Sequence, residues 1–151
     1  MVSIKNWISN IDAEEAGNES LGAAREIAAK HWEQILLAGA RQFEIAAAAG
    51  KTGTSAIFCG LCARFKHYCL KYDDGVLRAC PLRAHADQRN NCIQLYHDVI
   101  NNIHRDVHNG LDTRWSEDTI VLIKNLINAI KNNESKIMTK YNKGRQCDVY
   151  A

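Results

Sequence analysis

Five of the six cysteines lie between Cys59 and Cys92, and two of them are spaced Cys59-Gly60-Leu61-Cys62. A Cys-x2-Cys pair offers two thiolates from one tight turn, a common way for a chain to grip a tetrahedral metal ion. The cluster also occupies the one stretch that lacks helical periodicity. Any fold for this chain has to set helices on both sides of an irregular, cysteine-rich middle.

The flanks favour helices. Pro81 is the only proline, and glycine is sparse inside the long periodic segments. A short amphipathic segment over 1–19 puts Ile4, Trp7, Ile8 and Ile11 on one helical face. A long helix is expected from about Ser20 to Ala49. Its core stripe is Leu21, Ala24, Ala28, Trp32 and Ile35, continuing to Phe43 and Ala46. The run Ala46-Ala47-Ala48-Ala49 before Gly50 reads as a helix end with a glycine cap. Residues 51–91 form the cysteine-rich lobe, expected to be irregular with short helical turns. A further helix runs from about Asn91 to His108 on Ile93, Tyr96, Ile100, Ile103 and Val107, closed by Asn109-Gly110. The last starts at Ser116 as N-cap, with Glu117 and Asp118 in its first turn. It buries Ile120, Ile123, Ile127 and Ile130, and continues or restarts through Ile137 to Tyr141. The fold expected for 1–151 is one all-α domain: an antiparallel helical bundle with an irregular, metal-stabilised lobe.

With 151 residues, 46% hydrophobic and 24% charged, the chain is long enough for a real core. A net charge of +2 does not by itself imply nucleic acid. The N-terminal segment carries acidic and polar residues among its apolar ones and has no continuous apolar stretch of a secretory signal. No run approaches the roughly 18 apolar residues of a membrane span. The expected location is the cytoplasm of a bacterial cell, where clustered cysteines favour metal over disulfide.

The order His31-Trp32, Cys59-x2-Cys62, Cys80-Pro81-Leu82, then Cys92 with Tyr96 four residues on, resembles a family of small, cysteine-rich, uncharacterised proteins from bacteriophages and bacteria. The resemblance covers about residues 20–130 and implies a phage or mobile-element origin. One departure is the insertion Leu70–Ala79 between Cys69 and Cys80, which leaves a ligand role for Cys69 open.

Cys59, Cys62, Cys80 and Cys92 form the preferred metal set, a four-thiolate site suited to structural zinc. Cys69 or His31 could replace one member. The plainer alternative is that these cysteines act as small buried hydrophobes, because the spacing after Cys62 matches no tight finger pattern. Disulfides are a further alternative, with Cys147 in the C-terminal tail making the count even.

His97, His104 and His108 share a polar helix face, and His104 and His108 have the i, i+4 spacing that can chelate a metal. The sequence His-Arg-Asp-Val-His lacks the glutamate of a zinc protease, so a solvated face is the simpler account. Gly50-Lys51-Thr52-Gly53-Thr54 resembles the end of a phosphate loop, but Ile45 stands where the pattern needs glycine, and a helix precedes it rather than a strand. Basic residues Arg64, Lys66, Lys71, Arg78, Arg83 and Arg89 are interleaved with Phe65, Tyr68 and Tyr72. Cations beside aromatic rings can hold a nucleotide or a single strand. The candidate ligand-binding residues are therefore Arg64, Lys66, Tyr68, Arg83, His104 and His108.

No catalytic triad or paired carboxylates can be placed. The expected function is that of a non-enzymatic, phage-type binding protein that sequesters or blocks a host factor. That factor would be a host defence protein or a small anionic nucleotide signal. A zinc-dependent nucleic-acid-binding or regulatory protein is the alternative, and an enzyme built on the cysteine or histidine cluster ranks third. The long apolar helices also suit a homo-oligomer.

Overall fold

A computed structural model of the chain describes residues 2–66, 69–73, 75–82, 94–110 and 114–135. Among these residues, five α-helices and one hairpin follow in order: α1 (Asn10–Glu19), α2 (Leu21–Ala48), a 3-10 turn (Ala56–Phe58), α3 (Gly60–Arg64), β1 (Leu70–Asp73), β2 (Val76–Ala79), α4 (Gln94–His108) and α5 (Glu117–Asn132). The protein is mostly helical, and the two-stranded antiparallel sheet corrects the all-α expectation. No helix is long and apolar enough to cross a membrane among the described residues.

α2 organises the molecule, packing against α1, α3, α4 and α5. Ser20 caps it by accepting the Ala23 N–H at 3.0 Å. At the far end the Gly50 N–H bonds Ala47 O and the Lys51 N–H bonds Ala46 O. With Gly50 at φ 74° this is the Schellman ending that the alanine run and glycine predict. The stripe is buried as expected at Ala24, Ala28, Trp32, Ile35, Phe43 and Ala46. The expectation omits a kink at Gly39, whose φ of 79° lies outside the helical region. The Trp115 indole N–H donates to Ile35 O at 2.8 Å, in the turn before the kink.

The N-terminal stripe does not form a helical face. Helix α1 begins only at Asn10, because Ser9 and Asp12 make a reciprocal capping box. Ahead of it the chain lies as a strap along α2, held by two glutamines eight residues apart. Gln34 accepts the Ile8 N–H at 2.9 Å and donates to Asn6 O at 2.7 Å. Gln42 accepts the Ile4 N–H at 2.5 Å and donates to Val2 O at 2.7 Å. Each amide imitates a strand neighbour, satisfying backbone groups that a helix would have paired internally. Ile8 is buried by this arrangement, whereas Ile11 stands 61% exposed.

The main core gathers Trp32, Ile35, Phe65, Tyr96, Val99, Ile103, Trp115, Ile123, Leu126 and Ile130 with the cysteines. Asp106, buried on α4, accepts both the N–H and the hydroxyl of Ser116 at 2.9 Å, which fastens α4 to the start of α5. Arg25 of α2 donates to Ile130 O at 2.8 Å and Asn133 O at 2.6 Å, supplying donors to carbonyls at the end of α5. The expected continuation of α5 over Ile137–Tyr141 lies outside the described residues.

The lobe is more regular than expected. In its hairpin Leu70 faces Ala79, Lys71 faces Arg78, Tyr72 faces Leu77 and Asp73 faces Val76. The register leaves a two-residue connection ending in Gly75 at φ 78°. Leu70, Leu77 and Ala79 form a small apolar cluster separate from the main core.

Candidate functional site

Helix α3 is wedged against α1 and α2 at a separation that only glycine permits. A Cβ on Gly60 would stand 2.7 Å from Ala24 O, and one on Gly17 2.6 Å from the Ala63 Cβ. This close approach sets Cys62, Ala63 and Arg64 beside the polar side of α1. The hairpin closes the remaining side.

Between α1, α3 and the hairpin lies a cleft of about 650 Å3, within the roughly 300–1,000 Å3 usual for ligand pockets. Asn18 lines it from α1, Ala63 and Arg64 from α3, and Leu70, Lys71, Tyr72 and Leu77 from the hairpin, with Lys66 at the edge. Tyr72 is 69% exposed. Arg64 is already engaged: its guanidinium reaches Asp73 Oδ1 at 2.8 Å and Gly17 O at 3.1 Å. It is a frame residue tying α3 to α1 and β1. Lys66 and Lys71 form no ion pair with a described carboxylate, and Lys71 faces Arg78 across the hairpin. Two like charges opposed in this way repel unless an anion lies near them.

A second cleft of about 400 Å3 lies alongside. Asn10 and Glu14 line it from α1, Ala56 and Ile57 from the 3-10 turn, Cys62 and Ala63 from α3, with Lys66 again at the edge.

Among the expected ligand-binding residues, the fold brings Arg64 and Lys66 together. Tyr68 and Arg83 lie outside the described residues, as does Arg89. His104 and His108 sit exposed on α4 and line neither cleft. Phe65 does not join the basic surface; it is buried in the main core. Tyr72, Lys71 and Asn18 complete the site. The first two carried a signal in the basic and aromatic spacing. Asn18 carried none, because only the packing of α1 on α3 brings it there.

Cys59 and Cys62 stand together at the start of α3, both buried and neither in a disulfide. A hydrogen bond from the Cys62 thiol holds the Cys59 pKa below its ordinary value; burial opposes this, and the N–H groups of Cys62 and Leu61 assist it. An environment that favours thiolate is what a metal-binding cysteine needs. The pair therefore fits two ligands of a tetrahedral site. Among the described residues, no three His, Cys, Asp or Glu side chains form a group able to share an ion. Cys80 is buried and not in a disulfide, but completes no such group with the pair. Cys92 and Cys147 lie outside the described residues. Cys69 is disulfide-bonded, so at this residue the disulfide alternative holds and a ligand role does not.

His31 is also placed by its surroundings. It is fully buried, its Nε2 donates to Gly53 O at 2.9 Å, and its ring stacks on Phe58. Burial lowers its pKa to about 4, with the Gly53 bond opposing the shift, so the ring is neutral near pH 7. Its Nδ1 has no hydrogen-bond partner among the described residues. The Tyr96 hydroxyl donates to Thr54 O, and burial together with the nearby Cys62 and Cys59 raises its pKa well above the usual value. These two rings turn the carbonyls of Gly53 and Thr54 inward, and Thr52 is 2% exposed. The glycine-rich segment is thus fastened to the core rather than opened as a phosphate cradle.

No protein-family model, curated protein or solved structure matches this chain.

Proposed function

We propose that this is a non-enzymatic binding protein that takes a small anionic ligand with a flat apolar part, of the nucleotide class, in the cleft between α1, α3 and the hairpin. The observation that carries this reading is the pairing of two lysines, Lys66 and Lys71, which have no carboxylate partner among the described residues, with the exposed ring of Tyr72 over an apolar floor. The cations attract phosphate and the ring offers a stacking face. The resemblance to phage proteins adds the role: sequestering such a ligand from a bacterial host, in the host cytoplasm. A nucleic-acid role is less favoured, because Glu14 and Asp73 border the basic surface.

Titration with a panel of nucleoside monophosphates tests the reading, followed by native mass spectrometry to see whether the ligand stays unchanged. Lys66→Ala and Lys71→Ala should each weaken binding by roughly tenfold, with stronger dependence on salt in the parent protein. Turnover of the ligand would make the protein an enzyme. Binding of long single strands but not of mononucleotides would favour the nucleic-acid alternative.

We also propose Cys59 and Cys62 as two ligands of a structural zinc ion; of the expected remainder, Cys80 forms no such group with the pair and Cys92 lies outside the described residues. Bound zinc would contribute its binding energy to folding. Metal analysis of protein purified without chelator should find about one zinc per chain, lost in Cys59→Ser. Metal-free, fully stable protein would make these cysteines core residues.

A further inference from the structure

Among the described residues, the two clefts have Ala63 and Lys66 in common. A cation and a single methyl group are thus common to both linings. Each cleft has an apolar lining on its own side of Lys66: Leu70 and Leu77 in one, Ala56 and the 60% exposed Ile57 in the other. One face of α1 runs past both. Asn10, Glu14 and Asn18 follow at i, i+4 and i+8, the spacing that aligns side chains along a helix. Asn10 and Glu14 edge the second cleft and Asn18 the first.

This arrangement has the symmetry of a ligand with two flat groups joined through a charged link. We propose, building on the nucleotide reading above, that the clefts act as one site for a dinucleotide. Its bridging phosphate lies at Lys66, one base stacks by Tyr72, and the other enters beside Ile57. Phosphate is disfavoured in the second cleft, because Glu14 at its edge repels it. The same carboxylate accepts hydrogen bonds only, so it suits a base whose edge presents N–H donors. A guanine does so, with its ring and amino N–H groups side by side; an adenine offers only its amino group. The asparagines supply both donors and acceptors to base edges.

Calorimetric titration with GpG, ApA and GMP tests this. Joining two groups that each find a cleft makes the second contact intramolecular, so GpG should bind at least roughly a hundredfold tighter than GMP. GpG should also exceed ApA, and Glu14→Gln should narrow that gap. Ile57→Trp, placed at an exposed position so that folding is kept, should fill the second cleft and erase the difference between GpG and GMP. Equal affinity for GpG and GMP in the parent protein would overturn the two-cleft site while leaving the single-cleft reading standing. So would a GpG advantage that survives Ile57→Trp. Failure of all three ligands to bind would overturn the nucleotide reading itself.

Discussion

The main core and the hairpin lobe use apolar surface in opposite ways. Around α2, α4 and α5, large side chains interlock: Trp32, Trp115, Tyr96 and Ile130 are all at or below 2% exposure. In the hairpin three residues, Leu70, Leu77 and Ala79, make a separate small cluster, and Tyr72 is left facing solvent. The first region is built to be stable. The second is held against it by polar fasteners, Arg64 to Asp73 and Gly17 and Arg78 to Ser135 O at 3.3 Å, and keeps its open surface. The proposed ligand-binding surface thus lies where little folding energy depends on it.

Substitutions should separate the two regions, and the largest effect belongs to the main core. Trp32→Ala should cost roughly 3–5 kcal/mol in denaturant unfolding, against about 2 kcal/mol for Leu77→Ala. Equal losses would mean that the two apolar clusters behave as one.

Next comes pH. Because burial lowers the His31 pKa from 6.5 to about 4, the unfolded chain takes up its proton first as pH falls. The His31 contribution is therefore fully present above about pH 6.5 and is lost progressively down to about pH 4, by roughly 3 kcal/mol in all. Unfolding free energies measured at intervals from pH 7.5 to 4 should show this slope, flattened in His31→Gln. An equal slope in both proteins would assign it to other groups.

Gly60→Ala probes the join between the regions, since the new methyl would meet the Ala24 carbonyl. A loss of about 1–3 kcal/mol is expected, together with weakened ligand binding as α3 is pushed away from α1. An unchanged melting temperature would show that the wedge can relax. The smallest stability effect belongs to Tyr72→Ala, within about 0.5 kcal/mol. Its loss should appear instead in ligand affinity, by roughly tenfold if the ring stacks on a base. Loss of stability without loss of affinity would return Tyr72 to the scaffold.

What could be read ahead of the structure differed between the same regions. The helical stripe of α2, its Ser20 start and its Gly50 ending were legible because 3.6-residue periodicity and capping chemistry are local. The hairpin was also local, signalled by Asp74-Gly75 between Leu70–Asp73 and Val76–Ala79, and the density of cysteines obscured it. The N-terminal strap could not be found this way. Its apolar spacing fits a helix, and what overrides that spacing is a pair of glutamine amides contributed by α2.

The sequence alone therefore determined the helices of the main core, the N-cap at Ser116, the pairing of Cys59 with Cys62 in one turn, and the basic and aromatic character of the lobe. Each depends on residues within a few positions of one another. Tertiary structure decided which cations are paired, since Arg64 is neutralised by a strand residue, whereas Lys66 and Lys71 meet no carboxylate among the described residues. It also made His31 a neutral core residue and set α1 along both clefts, because burial and close approach are properties of packed neighbours distant in the chain.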